Sequence, residues 1–288
     1  MSDIVSQALS HPPVDTRYVA DRWHPARISP KGVWIEARVL ASSVIKPANR
    51  SAHKFLILCR ARSGSTLLTQ LLNAHEDVAC GREVMARRVL FPRSYLNRLA
   101  RKSVTPAYGA KLLSYQMVQV QRLADPAGFL RDLAADGFRF IHVERDSFSQ
   151  TLSLRMAQQS RVFHQSTRTD VGKKSWQRGS DSATHAPVEI DIEDFARRLE
   201  WSRMLMDYER HCLRDLPHLK ISYETDLQSQ EAQQATANRI FDFIGVPQAS
   251  VSGGVKKLLP TDPRAVIANY DTLAQHLRDK GLADLLPD

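Results

Sequence analysis

The chain reads as an α/β protein, with a parallel sheet flanked by helices, and three observations lead there. Lys54-Phe55-Leu56-Ile57-Leu58-Cys59 is a short apolar run without alternation, which suits a parallel strand buried on both faces. A Gly-containing polar turn, Arg60 to Ser65, follows it directly, and Leu67, Leu68, Leu71 and Leu72 then mark one face of a helix. A second buried run, Phe138 to Val143, recurs after a helical stretch, Pro126 to Asp136. Strand, Gly turn and helix form the opening unit of a nucleotide-binding, P-loop-like fold.

The remaining elements follow in order. A helix is expected around Ser149 to Gln159, then an aperiodic polar loop at about 160–188, a length that in a compact domain is usually functional or disordered. Asp191-Ile192-Glu193-Asp194 is a helix start, and that helix runs through Phe195, Leu199, Trp201, Leu205 and Tyr208 to about Leu213. Leu219 to Tyr223 is a third strand, and Glu231 to Ile244 a helix stopped by Gly245 with Pro247 beyond. Phe241, Phe243, Trp201 and Tyr208 read as core. Residues 1–50 are punctuated by prolines, with Val33 to Leu40 alternating loosely as a strand or hairpin arm. They are expected to be an extension packed on one domain, residues 51–288.

Composition sets limits. The 288 residues are 43% hydrophobic and 25% charged, with 12 Gly and 14 Pro, which excludes collagen-like, disordered and disulfide-scaffold chains. Forty Lys+Arg against 31 Asp+Glu give +9, and the segment from Ser51 to Lys111 carries eleven bases and three acids, a net +8. Such a local surplus points to an anionic partner. Cys59, Cys80 and Cys212 show no zinc-type spacing and fit a reducing compartment. No apolar run has the length of a membrane span or the form of a signal peptide, so a soluble cytoplasmic protein is expected.

Arg62-Ser63-Gly64-Ser65-Thr66-Leu67 lies between strand and helix. Backbone N–H groups at a helix start bind phosphate, Gly64 permits close approach, and Ser65 and Thr66 add hydroxyls. The loop lacks the first glycine and the lysine of G-x-x-x-x-G-K-[ST], which disfavours a P-loop kinase or nucleotide hydrolase. An ordinary surface turn is the competing reading.

On these residues the chain resembles the sulfotransferases that use 3′-phosphoadenosine 5′-phosphosulfate (PAPS). Arg62 to Leu68, R-S-G-S-T-L-L, matches their 5′-phosphosulfate signature. Arg145 after the second strand, with Ser153 eight residues on, matches their 3′-phosphate signature. The match covers about Lys54 to Met85, Ile141 to Ala157 and a weaker C-terminal part. Arg62 to Glu83 looks most like tyrosylprotein and bacterial carbohydrate sulfotransferases, in which a Glu after a C-G-x turn is the catalytic base. Glu83 falls on that position, and the cationic residues around it favour its ionised form.

The resemblance implies in-line sulfuryl transfer from PAPS to a hydroxyl, with Glu83 as base and Arg62 stabilising the leaving phosphate, and no metal. The expected acceptor is a carbohydrate or glycolipid. Gly253-Gly254-Val255-Lys256-Lys257 is similar to the family's nucleotide-closing loop without its R-K-G, so Lys256 and Lys257 are weighed against solvated charge. Lys111 stands at a G-x-K element of bacterial relatives, as a sulfate or acceptor contact or as a solvated lysine. His164 and Trp176, in the long loop, are acceptor contacts or loop anchors. A basic nucleic-acid-binding protein is the reading from another class. It expects exposed aromatics interleaved with the bases or a reader motif, but Arg82 to Lys102 offers only Phe91 and Tyr95, and no helix-turn-helix or RNA-reader pattern appears. The N-terminal extension is compatible with a homodimer.

Overall fold

The computed structural model describes residues 30–45, 52–123, 125–160, 187–252 and 262–287. The long loop expected at about 160–188 falls, but for its ends, outside them, as do residues 1–29 and 46–51 of the N-terminal region. The described chain divides into two compact units, residues 1–144 with 204–253 and residues 145–203 with 254–288.

The first unit holds a five-stranded sheet: β1 (His53–Cys59), β2 (Val78–Glu83), β3 (Ala107–Leu113), β4 (Phe138–Glu144) and β5 (His218–Ser222), in the order β2-β3-β1-β4-β5. Every pairing is parallel. The apolar run of β1 explains its central place, because Phe55 to Cys59 are fully buried between β3 and β4. Helices connect and flank the strands: α1 (Pro30–Ile45), α2 (Ser65–Leu72), α3 (Pro92–Lys102) and α4 (Pro126–Ala135). After α5 (Ser147–Ser160) come α6 (Ile192–Leu213), α7 (Gln230–Ile244) and α8 (Tyr270–Asp279). Right-handed crossovers put α2, which leads outward to β2, on the face opposite α3 and α4, which lead back across β1. The packing agrees: α2 lies against α7, whereas α3 touches both α1 and α4.

Chain order reverses around β1, since β1 leads outward to β2 while β3 crosses over it to β4. The crevice beyond the carboxyl ends of β1 and β3 is where open parallel sheets take their ligands.

Residues 33–40 are helical, not a strand or hairpin arm. Gly32, Glu36 and Val39 are buried and Ile35 half-buried, a spacing of three and four that only a helix brings to one face. Glu36 accepts from the backbone N–H of Leu90 (Oε2, 2.7 Å) and of Phe91 (Oε1, 2.8 Å), tying α1 to the start of α3.

The expected C-terminal stop of α7 is present. Gly245 has φ 85°, and its N–H donates to the Phe241 carbonyl at 2.8 Å. Tyr208 and Phe241 are fully buried, while Trp201 and Phe243 are half-buried. The second unit has its own core, with Phe148 and Leu152 of α5, Phe195 and Leu199 of α6, and Leu273 and Leu277 of α8.

Two buried carboxylates of the first unit are paired. His142 on β4 meets Glu209 of α6 at 3.0 Å, with both side chains inaccessible. Glu144 accepts from Arg210 at 2.8 Å through each carboxylate oxygen, and Lys220 stands 2.9 Å away. Burial opposes ionisation of Glu144, yet the hydrogen bonds from Arg210 and Lys220 outweigh it and bring the carboxyl down to about 2. A depressed carboxyl contributes stability above its ordinary pKa of 4.5, lost as pH falls from there towards about 2. Denaturant midpoints measured from pH 5 to pH 2.5 should therefore fall, and Glu144→Gln should flatten that slope while lowering stability at pH 7. Asp136, held at about 2 by Arg93, leaves a residual slope in the variant.

Candidate active site

The Gly turn after β1 carries two residues in the left-handed region, Arg62 (φ 66°) and Gly64 (φ 87°). Gly64 is the N-cap of α2 and offers no side-chain cap. The first bond of the helix runs from the Leu68 N–H to the Gly64 carbonyl (3.1 Å), so the N–H groups of Ser65, Thr66 and Leu67 precede it and form the polar start of the helix. Glycine is required at 64 for space as well as for φ. A Cβ there would stand 2.5 Å from the Tyr223 ring and 3.2 Å from Leu227. Ser63 and Ser65 are buried, and Arg62 and Thr66 half-buried.

Beside this turn the register of β2 on β3 decides which charge faces the crevice. Gly81 pairs with Ala110, but Glu83 pairs with Lys111, so a β-bulge passes over Arg82. A bulge of one residue reverses the face on which all later side chains point. Here it sets a carboxylate opposite Lys111 where regular pairing would set a guanidinium. The outer edge of β2 is held by Asn73, the residue that caps α2. Its amide donates to the Cys80 carbonyl and accepts from the Cys80 N–H, both at 2.8 Å, as a strand neighbour would.

Glu83 Oε1 stands 3.0 Å from Lys111 Nζ, and Lys111 also donates to Thr66 Oγ1 at 3.4 Å. The Lys111 side chain is 8% exposed and that of Glu83 is 29% exposed. Lys111 is thus a buried cation with a fixed counterion, and Glu83 retains access to solvent. The solvated-lysine reading of Lys111 gives way to this pair. The glycine of Tyr108-Gly109-Ala110-Lys111 has a packing role, because a Cβ at Gly109 would lie 2.1 Å from the Phe55 ring. Below the turn, burial pushes the Cys59 thiol up to about 11, against the pull of Lys111 and the Ser65 hydroxyl. Burial raises Cys80 and Cys212 to about 12, so none of the three thiols is a nucleophile near neutral pH.

Among the sequence-derived site residues, Arg62, Ser63, Gly64, Ser65, Thr66, Leu67, Glu83 and Lys111 all belong to the first unit, where the loop, Glu83 and Lys111 converge. Arg145 and Ser153 belong to the second unit. Arg145 follows β4 directly and is half-buried. Ser153, in the second turn of α5, is 5% exposed, so it is no surface serine of that helix. Lys256, Lys257, His164 and Trp176 lie outside the described residues. Sequence reasoning missed Asn73, Tyr223 and the fully buried Arg60, whose guanidinium reaches the Met206 sulfur at 3.4 Å. Asn73 follows the last leucine of α2 and precedes Ala74-His75, a readable cap signal.

No family model matches the chain, and no curated protein sequence does. Among solved structures the chain is similar to the crystal structure of a sulfotransferase from Alicyclobacillus acidocaldarius. The two are 13% identical, the match covers 83% of this chain and 95% of that one, and the TM-score is 0.45. The chemistry of the site is accordingly read from this chain's own residues.

Gly64→Ala should destabilise the first unit by about 2 kcal/mol or more, from left-handed strain plus the collision with Tyr223. Urea denaturation checks this, and a variant as stable as the parent would mean that the turn relaxes without cost.

Proposed function

We propose that the protein transfers a sulfuryl group from PAPS to an acceptor hydroxyl. The observation that carries this reading is the convergence of Glu83, Lys111 and Thr66 beside the polar start of α2, at the carboxyl edge of a parallel sheet. Such a site offers an anion a row of N–H donors and an ammonium, and offers a hydroxyl an ionised carboxylate.

On this reading the loop from Arg62 to Leu67 cradles the 5′-phosphosulfate. The acceptor oxygen attacks sulfur in line, and its proton passes to the Glu83 carboxylate. The bond from sulfur to the bridging phosphate oxygen breaks, and adenosine 3′,5′-bisphosphate leaves with the electron pair. Arg62, Lys111 and the loop N–H groups stabilise the charge that grows on the bridging and equatorial oxygens. Lys111 also acts on the base, because its 3.0 Å contact orients the Glu83 carboxylate until a sulfate oxygen competes for the ammonium. Arg145 and Ser153, at the family's spacing, take the 3′-phosphate, and Lys256 and Lys257 close over the nucleotide. A carbohydrate or glycolipid hydroxyl in the cytoplasm, with His164 and Trp176 among its contacts, completes the proposal. The divergent kinase or hydrolase shares the parallel sheet but lacks the G-K-[ST] of its loop, and the nucleic-acid binder shares the exposed bases and exposed rings but has no reader motif.

Thermal shift separates the three classes. Adenosine 3′,5′-bisphosphate should raise Tm, and neither ATP with magnesium nor duplex DNA should do so comparably; stabilisation by DNA alone would sink the proposal. Glu83→Ala should lower turnover of labelled PAPS by about 10²–10⁴-fold while bisphosphate binding stays within a few-fold. Near-parental turnover would remove Glu83 from the reaction.

A further inference from the structure

Among the described residues, five large apolar side chains are exposed: Trp34, Leu40, Leu90, Phe91 and Val104. Two belong to α1 and two, Leu90 and Phe91, to the segment that enters α3, whereas Val104 lies past the other end of α3. Glu36 ties these two segments together through the Leu90 and Phe91 N–H groups, and the two helices pack on each other. Trp34 is 55% exposed and Phe91 is 64% exposed, which is unusual for rings of that size in a protein whose other described aromatics are largely covered.

The charges of the same segments have one sign. Residues 84–110 contain no Asp or Glu, and the single acid of α1, Glu36, is buried and engaged with the backbone. Lys31, Arg38 and Arg87 are exposed and Arg88 is half-buried, and no ion pair joins any of them to a described acid. Arg38 lies over the Trp34 ring instead, 4.6 Å from its centroid. Arg93, by contrast, is neutralised by Asp132 and Asp136 and does not contribute.

Exposed Trp, Phe and Leu among Lys and Arg without acidic partners is the surface chemistry of proteins that rest in the headgroup layer of a membrane, with rings at the interface and cations on anionic lipid. We propose that α1 and the entry to α3 form a docking surface for an anionic phospholipid bilayer. A second copy of this chain is a poor occupant, because two such faces would set cation against cation. A polynucleotide would match the charge but would offer Leu90 no apolar surface. The surface belongs to the first unit and does not depend on the proposed reaction. It gives a use to the basic residues of the 87–102 stretch that a nucleotide donor does not need.

Vesicle flotation of the full chain tests this, with phosphatidylcholine vesicles with and without about one-third phosphatidylglycerol. The protein should float with the anionic vesicles at least about tenfold more than with the neutral ones, and about 0.5 M salt should weaken the association. Trp34→Ser with Phe91→Ser, and separately Lys31→Glu with Arg38→Glu, should each lower the partition about tenfold or more. All four side chains are exposed, so circular dichroism and Tm should stay at parental values and turnover of labelled PAPS in solution should not change. Failure to float with anionic vesicles would overturn the proposal, as would equal binding of neutral vesicles or folded variants that bind like the parent. A concentration-dependent dimer abolished by Trp34→Ser with Phe91→Ser would assign the surface to a second copy instead.

Discussion

A lysine in the middle of a wholly buried strand is the constraint around which the first unit is arranged. β3 reads Ala-Tyr-Gly-Ala-Lys-Leu-Leu, and every one of its residues is buried. An ammonium there would cost several kcal/mol without a partner, enough to cancel much of a domain's net stability. Three neighbouring elements supply the compensation. β2 bulges at Arg82 so that a carboxylate meets the ammonium, α2 begins with a threonine hydroxyl beside it, and Asn73 fixes the edge on which the bulge sits. Of these only Glu83 carries the opposite charge, so its loss would leave the buried ammonium unpaired. The same arrangement that neutralises Lys111 also brings a solvent-accessible carboxylate next to a helix start, so stability and candidate chemistry draw on one contact.

The charge surplus between Ser51 and Lys111 divides once positions are known. Some of it is structural. Lys54 donates to Asn97 and to the Asp136 carbonyl, Arg93 is held by Asp136 and Asp132, and Lys111 by Glu83. Burial lowers the Lys54 pKa, partly countered by Asp136, so a formal charge count overstates what the surface presents. Arg82, Arg87, Arg101 and Lys102 remain exposed, Arg87 beside apolar side chains that face water. A net charge summed along the sequence cannot separate a cation engaged inside the fold from one offered to a partner.

The elements legible in the sequence were those whose burial is apolar. β1 is buried from Phe55 to Cys59 and β4 at every position but Arg139, and both read as largely apolar runs. α7 carries an ordinary glycine stop, and the expected helix from Asp191 starts at Ile192 with Asp191 accepting from the Asp194 N–H. Elements whose burial involves small or polar residues were not legible. α1 presents Gly32 and Glu36 to its neighbour, so its inward face looks like no hydrophobic stripe, and the loose alternation of Val33, Ile35 and Val39 reads as strand. β2, Val-Ala-Cys-Gly-Arg-Glu, shows neither alternation nor an apolar run because an edge strand is covered on fewer sides, and β3 is disguised by its glycine and lysine. Residue types located Glu83 and Lys111 separately. Their pairing depends on a register shift of one residue, which no local pattern encodes.

Backbone strain in the turn after β1 follows the same logic. Arg62 is not a glycine, and a left-handed conformation there costs about 1–2 kcal/mol that Gly or Asn would largely avoid. Neighbouring packing explains how the conformation persists, since Tyr223 and Leu227 close over Gly64 and leave the turn little freedom to relax. Packing does not explain why an arginine holds the position. Strained residues at the mouth of a parallel sheet, next to the unsatisfied N–H groups of a helix, are a recurrent companion of a preformed anion cradle. On the proposed function, an unstrained turn would need to reorganise each time an anion arrived. A strained one is organised once, during folding, with the Glu83–Lys111 pair holding the adjacent strand ends in place. The strain, the position where Tyr223 and Leu227 leave room for glycine alone, and the bulge over Arg82 then constrain the same edge of the sheet, where Glu83 meets the start of α2.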